Sequence, residues 1–281
     1  MSFTNHVRTA ALLGILTVIL IAIGGFLGGE QGLLFGFMFA LILNFISYWF
    51  SDKIVLAIYR AKEIRREDNP MLYRLVDGVR QKFGLPMPKL YLIQNPSPNA
   101  FATGRNPEHS AIAFTTGILQ LLDEQELEGV IANEFSHIKN MDILIASVAA
   151  VIAGTIAYIA MMARFAAIFG RNDDRGQGLL ELIAIGIVTP IIATIVQLAI
   201  SRSREYLADE TAARMLRNSL GLRNGLAKLE GMTARRPMAE ANPGTAHMFI
   251  VNPFSAKGLV GLLSTHPAVE ERIARLEKLR Y

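Results

Sequence analysis

The chain has 281 residues, of which 52% are hydrophobic and only 19% are charged. A soluble domain usually carries about 25% charged residues and fewer apolar ones, so the composition argues against a disordered chain, an ordinary cytosolic enzyme and a nucleic-acid tail protein. The net charge of +4 is mild. Its basic residues sit beside apolar runs rather than in a stripe with aromatic partners, which points to a membrane surface and to no nucleic-acid partner. Cysteine is absent, so neither a disulfide framework nor a thiolate metal site is available. Any metal must be held by His, Asp or Glu.

Four apolar runs follow one another along the chain: Thr9 to Gly29, Gln31 to Phe50, Ile143 to Met162 and Leu182 to Ile200. Each has roughly the 20 residues a helix needs to cross a hydrocarbon core. The first is too long for a signal-peptide core and is followed at once by the second, so the Gly28–Gly32 link reads as the tip of a hairpin. The third and fourth are weaker, being rich in Ala and Gly. Orientation follows the Lys/Arg bias. Arg8, Lys53, Arg60, Lys62, Arg65, Arg66, Lys139, Arg202 and Arg204 flank the spans on one side, while the hairpin tip has no Lys or Arg. The N-terminus, residues 51–142 and residues 201–281 are therefore expected in the cytoplasm, although Arg164, Arg171 and Arg175 in the last link run against the rule. The expected organisation is a two-span hairpin (1–50), a first polar part (51–142), two further spans (143–200) and a second polar part (201–281). An even number of spans lets the two polar parts join.

Within the first polar part, Leu72, Leu75, Val76 and Val79 share one face of a helix over 69–83, stopped by Gly84. Leu90 to Gln94, Ala100 to Thr103 and Ala111 to Thr115 read as short strands, the first two separated by the Asn95-Pro96-Ser97-Pro98 turn. Asp123 is the expected N-cap of a helix running to Asn140. On that helix Asn133 and His137 are four residues apart and Glu134 and His137 three apart, so all three share a stripe.

The stripe nearly matches H-E-x-x-H, in which two histidines one turn apart bind zinc and the Glu activates the metal-bound water. Here the first position is Asn133. Taken alone, N-E-x-x-H is better explained by a buried Glu and His satisfied by neighbouring helices. Beyond the fourth run, however, Ser201 to Asp209 reads S-R-S-R-E-Y-L-A-D, with Glu205 and Asp209 one turn apart, an arrangement suited to a third ligand and an acid that orients a histidine ligand. Near the end, Thr265 to Ile273 reads T-H-P-A-V-E-E-R-I.

Together with N-P-S-P-N-A-F-A-T-G at Asn95 to Gly104 and A-N-E-F-S-H-I-K-N-M-D at Ala132 to Asp142, these segments resemble the HtpX-type membrane metalloproteases, which share a family with the CAAX prenyl proteases. The resemblance covers nearly the whole chain. It implies a mostly α membrane protein with four transmembrane helices and a cytoplasmic zincin-like α+β metallopeptidase domain built on a small antiparallel sheet. It also implies a zinc endopeptidase of the bacterial inner membrane that degrades misfolded or damaged membrane proteins in stress response and quality control. The ligands of one zinc ion would be position 133, His137 and Glu205. Glu134 would be the general base and Asp209 the orienting acid. His266 and Arg272 would lie near the metal and steady the oxyanion, His266 being equally suited to capping or packing. Asn99, Ala100, Phe101 and Ala102 would lie on an edge strand that an extended substrate joins.

Asn133 departs from that pattern. A carboxamide oxygen is a poor replacement for imidazole at zinc, and loss of even an outer partner lowers metal affinity or activity about 10–100-fold. Weak zinc binding and little peptidase activity are therefore expected. A non-catalytic membrane adaptor that binds unfolded segments is the alternative. A transporter or channel is disfavoured because the runs hold few ionisable residues.

Overall fold

The computed structural model describes residues 2–169, 202–238, 244–253 and 267–280. Helix α1 (Ser2–Trp49) is a hairpin of two helices broken at Gly28 and Gly29. Gly29, with φ 59° and ψ −140°, occupies a region open essentially to glycine alone. The two arms touch through their backbones, since a Cβ on Gly24 would lie 2.2 Å from Gly32 O and one on Gly36 2.5 Å from Leu20 O. Small residues at such a crossing permit close packing in a medium without a hydrophobic driving force. Lower in the hairpin, Asn44 Nδ2 donates to Thr17 Oγ1 at 2.8 Å. Among the described residues, Asn5–Gly25 and Gly28–Trp49 are long and apolar enough to cross a membrane. Leu34, Phe35, Met38, Ile42 and Phe45 lie exposed along the second arm, while Leu12, Leu16 and Leu20 of the first are buried.

The chain then enters α2 (Ser51–Ile58), β1 (Lys62–Glu63) and α3 (Pro70–Phe83). Helix α3 starts where Asn69 Oδ1 accepts from Leu72 N–H and stops at Gly84, which takes a left-handed φ of 64°. Strands β2 (Lys89–Ile93), β3 (Ala100–Gly104) and β4 (Ser110–Thr115) follow, and the sheet order is β1-β2-β4-β3. The sheet is mixed, which corrects the expected antiparallel one: β2 pairs with β4 in parallel, and the β1–β2 and β3–β4 pairs are antiparallel. The connection at 94–99, with Pro96 and Pro98 and no two-residue hairpin signal, carries the chain past the neighbouring position to the far edge. The tight return through 105–109 then inserts β4 between β2 and β3.

Helix α4 (Thr116–Leu121) leads into α5 (Glu124–Lys139), which opens with a capping box. Asp123 Oδ1 accepts from Glu126 N–H at 2.9 Å, and Glu126 Oε2 accepts from Asp123 N–H at 3.0 Å. After Asn140, Met141 takes a left-handed φ of 60° and the chain turns by 85° into α6 (Asp142–Phe169). The third apolar run thus forms the start of α6. Its first half is buried, with Leu144, Ile145, Val148, Ala149 and Ile152 packed against Leu12 and Leu16 of the hairpin. The fourth run, 182–200, lies outside the described residues.

Helices α7 (Arg202–Leu216), α8 (Leu220–Arg235) and α9 (Val269–Leu276) complete the described elements. One core joins Leu72 and Val76 of α3, Ile112 and Phe114 of β4, Val130 and Phe135 of α5, and Ala212, Leu226 and Val269 from beyond the last apolar run. Segments far apart in sequence therefore bury one another. Helix α5 runs through the middle of that core and is walled on nearly every side.

Candidate metal and catalytic site

The site is built from two helices laid face to face. On α5, Asn133 and His137 are one turn apart; on α7, Glu205 and Asp209 are one turn apart. The turns match crosswise. His137 Nε2 lies 3.7 Å from Glu205 Oε1, and Asn133 Nδ2 donates to Asp209 Oδ1 at 2.9 Å. Asn133, Glu134, Glu205 and Asp209 are all buried.

A carboxylate also fixes the imidazole of His137. Its Nδ1 lies 3.1 Å from Asp142 Oδ2. A carboxylate only accepts, so Nδ1 carries the proton and Nε2 is turned toward Glu205. Asp142 was not among the residues singled out from sequence. The signal was its place five residues beyond His137 at the start of the third apolar run, but only the bend at Met141 turns that spacing into contact.

Asp209 accepts two hydrogen bonds from Arg272, Nε to Oδ2 and Nη2 to Oδ1, both at 2.7 Å. Arg272 Nη1 donates to Ile250 O at 2.8 Å and lies 3.7 Å from Glu205 Oε2. Arg272 thus lies beside Glu205, the residue expected as a metal ligand. It is wholly buried, and each terminal nitrogen already serves a partner of the fold. Asp209 holds the side chain at position 133, while His137 is held by Asp142. His266 lies outside the described residues.

Burial pushes the Glu134 carboxyl up to about 7, against the pull of His137 and a hydrogen bond from Ala102 N–H. Burial opposes a charge on His137, but the carboxylates of Glu205 and Asp142 outweigh it and lift the imidazole to about 9. Burial likewise raises Asp209 against the lowering influence of Arg272.

Among the described residues no three His, Asp or Glu side chains converge as a ready ligand set for a metal. The residues nonetheless suit a cation in two respects. Asn133 Oδ1 is buried without a hydrogen-bond partner, leaving an orphaned acceptor on the His137 stripe. The carboxylates around His137 also draw a proton onto it, so the site is short of positive charge. His137 Nε2, Glu205 and Asn133 Oδ1 make a donor set of one imidazole, one carboxylate and one carboxamide, which is harder and weaker for zinc than a set with two imidazoles.

Strand β3 is at the sheet edge, above this arrangement. Of the residues implied to meet substrate, Asn99 donates through Nδ2 to Val251 O at 2.9 Å, and Ala100 O accepts from Ile250 N–H at 3.0 Å. Ala102 N–H serves Glu134. Phe101 packs in an aromatic cluster with Tyr59 and Phe249. Beyond them, Gly104 N–H reaches Ser147 Oγ at 3.3 Å. The segment around 249–251 therefore lies along one end of the edge strand, a feature sequence reasoning did not anticipate.

A buried acid, Glu134, thus lies beside the His137–Glu205 pair on a helix under an edge strand. The model of peptidase family M48 matches residues 66–280, and the chain belongs to that family of metalloproteases. It is 49% identical to a "Protease HtpX homolog" of Syntrophobacter fumaroxidans over 98% of this chain and 99% of that one. It is 53% identical to one of Thermodesulfovibrio yellowstonii over 98% of each. Among solved structures, that of S. mikatae Ste24p superposes with a TM-score of 0.51 at 16% identity, covering 98% of this chain and 66% of that one. At that identity the likeness speaks for the fold alone.

Proposed function

We propose that the chain is a membrane-integrated zinc endopeptidase scaffold of the bacterial inner membrane that acts on misfolded or damaged membrane proteins and is impaired by Asn133. Four spans, with the N-terminus and both polar parts in the cytoplasm, are supported by the α1 hairpin and the Lys/Arg bias. The observation that carries the reading is the crosswise match of α5 and α7, His137 to Glu205 and position 133 to Asp209. His137, Glu205 and Asn133 Oδ1 would hold one zinc ion, which when bound supplies a Lewis acid that polarises the scissile carbonyl and acidifies water.

The chain's own residues supply the rest. Glu134, raised to about 7, is poised to take and return a proton near neutral pH. A substrate strand joining β3 takes over the Ala102 N–H that Glu134 now accepts, so seating the substrate also frees the base. Asp209 and Arg272 hold position 133 and Glu205 in place. His266 remains a candidate for the oxyanion. The base of the hairpin touches the site, which favours substrates emerging from the bilayer.

The second reading, an adaptor that keeps the fold and binds unfolded segments without cutting them, is favoured by Asn133 itself. Paired purification of this chain and its Asn133→His counterpart in detergent decides between the two, with zinc per chain and casein cleavage as readouts. Under the peptidase reading the counterpart gains both, and this chain binds zinc at least about 10–100-fold more weakly. No gain in either quantity leaves the adaptor.

A further inference from the structure

His137 and Asp142 belong to different helices. Between them the chain leaves α5 at Asn140, passes through the left-handed Met141 and turns by 85°. No helical ladder crosses that joint, so the His137–Asp142 hydrogen bond depends on what holds the joint from outside. The structure shows one residue on both sides of it. Asn5, on the first arm of the hairpin, donates through Nδ2 to Asn140 O at 3.2 Å and to Asp142 Oδ1 at 2.9 Å. Its Oδ1 accepts from Arg204 Nη1 at 3.3 Å, and Arg204 Nη1 itself lies 3.6 Å from Asp142 Oδ1. One buried amide thus joins the end of α5, the start of α6 and the start of α7.

We propose that Asn5 is a positioning residue for His137: the first membrane arm fixes the Asp142 carboxylate, which in turn fixes the direction of the imidazole Nε2. The inference rests on the metal-site reading above. A residue that merely fastened the hairpin would need only apolar contact, which Leu12, Leu16 and Leu20 already supply against α6. The carboxamide adds direction, because its two ends are satisfied by groups of opposite kind. Helix α1 and the metal ligand are then coupled across 132 positions of sequence through two side chains, Asn5 and Asp142.

The test is Co²⁺ binding to the full chain in detergent, read from the visible d–d spectrum, beside the thermal midpoint of the metal-free protein. Asn5→Leu removes the amide, and Asn5→Ser, too short to reach Asp142, serves if the leucine variant does not fold. Asp142→Asn removes the charge that orients His137. Thr9→Val deletes a buried hydroxyl one turn on, whose donation stays within its own helix at Asn5 O. Substitution at Asn5 or Asp142 is expected to weaken Co²⁺ about 10–100-fold and to change the band shape. Thr9→Val should alter neither, and Asn5→Gln should recover part of the loss. A lowered thermal midpoint with unchanged affinity and spectrum in the Asn5 variants makes Asn5 a fastener only and overturns the proposal. Where binding to this chain is too weak to titrate, the same substitutions are read in the Asn133→His counterpart. If that counterpart also takes no Co²⁺, the metal-site reading has failed and the proposal falls with it.

Discussion

Replacing Arg272 with methionine tests whether this residue acts in the fold or on a reacting group. The side chain is wholly buried and makes three short hydrogen bonds, two to Asp209 at 2.7 Å and one to Ile250 O at 2.8 Å. Arg272→Met strands the Asp209 carboxylate with a single neutral donor, Asn133 Nδ2. Breaking one side of a buried pair in this way costs about 3–5 kcal/mol, a large part of the about 5–15 kcal/mol that holds a typical domain. Thermal denaturation followed by circular dichroism should then drop by about 6–20 °C, at about 2–4 °C per kcal/mol. The double variant Arg272→Met/Asp209→Leu removes both charges. It leaves the Asn133 N–H, the Ile250 carbonyl and the Glu205 carboxylate without these partners, but no longer a carboxylate at 209, and should be more stable than the single variant. A single variant within about 1 kcal/mol of the parent, or a double variant less stable than the single, would refute the structural assignment of Arg272.

Two further outcomes follow from the geometry. With His137 lifted to about 9 by Glu205 and Asp142 despite burial, the metal-free protein carries a proton there at neutral pH that a metal must displace. Metal affinity should therefore climb about tenfold per pH unit through neutrality and level off near 9, and a flat competition titration would contradict this. The sign for stability is opposite: the folded value lies above the ordinary 6.5, so the stability this proton adds to the metal-free protein is full below 6.5 and lost as pH rises through about 9. Separately, a Cβ on Gly129 would lie 2.3 Å from Leu222 N, where α5 and α8 meet backbone to backbone. Gly129→Ala should destabilise by about 1–3 kcal/mol in thermal unfolding, and no change would mean that the helices separate freely.

The parts of this fold that sequence reveals are those set by neighbours in the chain. The glycine tip of the hairpin, the Asp123 cap, the Gly84 stop and the three short strands all rest on backbone preferences acting within a few residues. The mixed sheet does not, because the insertion of β4 between β2 and β3 is a choice of partner rather than of conformation. The stripe of Asn133, Glu134 and His137 was visible from helical spacing, and Glu205 with Asp209 likewise. The partnerships were less visible. Asp142 reaches His137 only through the bend at Met141, while Arg272 meets Asp209 across 63 positions and residues 249–251 meet the start of β3 across about 150.

Position 133 shows how the fold and the chemistry of one site separate. Asp209 is buried, and it is secured by Arg272 together with one further donor from α5. A histidine at 133 would bring an imidazole N–H to that carboxylate while turning its other nitrogen toward the metal. Asparagine supplies the first function with its Nδ2 and replaces the second with a carboxamide oxygen, which stays buried and unpartnered. The demand that a buried carboxylate be satisfied is met equally by either residue. The demand for a strong nitrogen donor is met only by histidine. The hydrogen bond to Asp209 therefore does not distinguish the two residues, whereas a bound zinc ion would. Restoring histidine should accordingly change zinc content far more than the melting temperature of the metal-free protein.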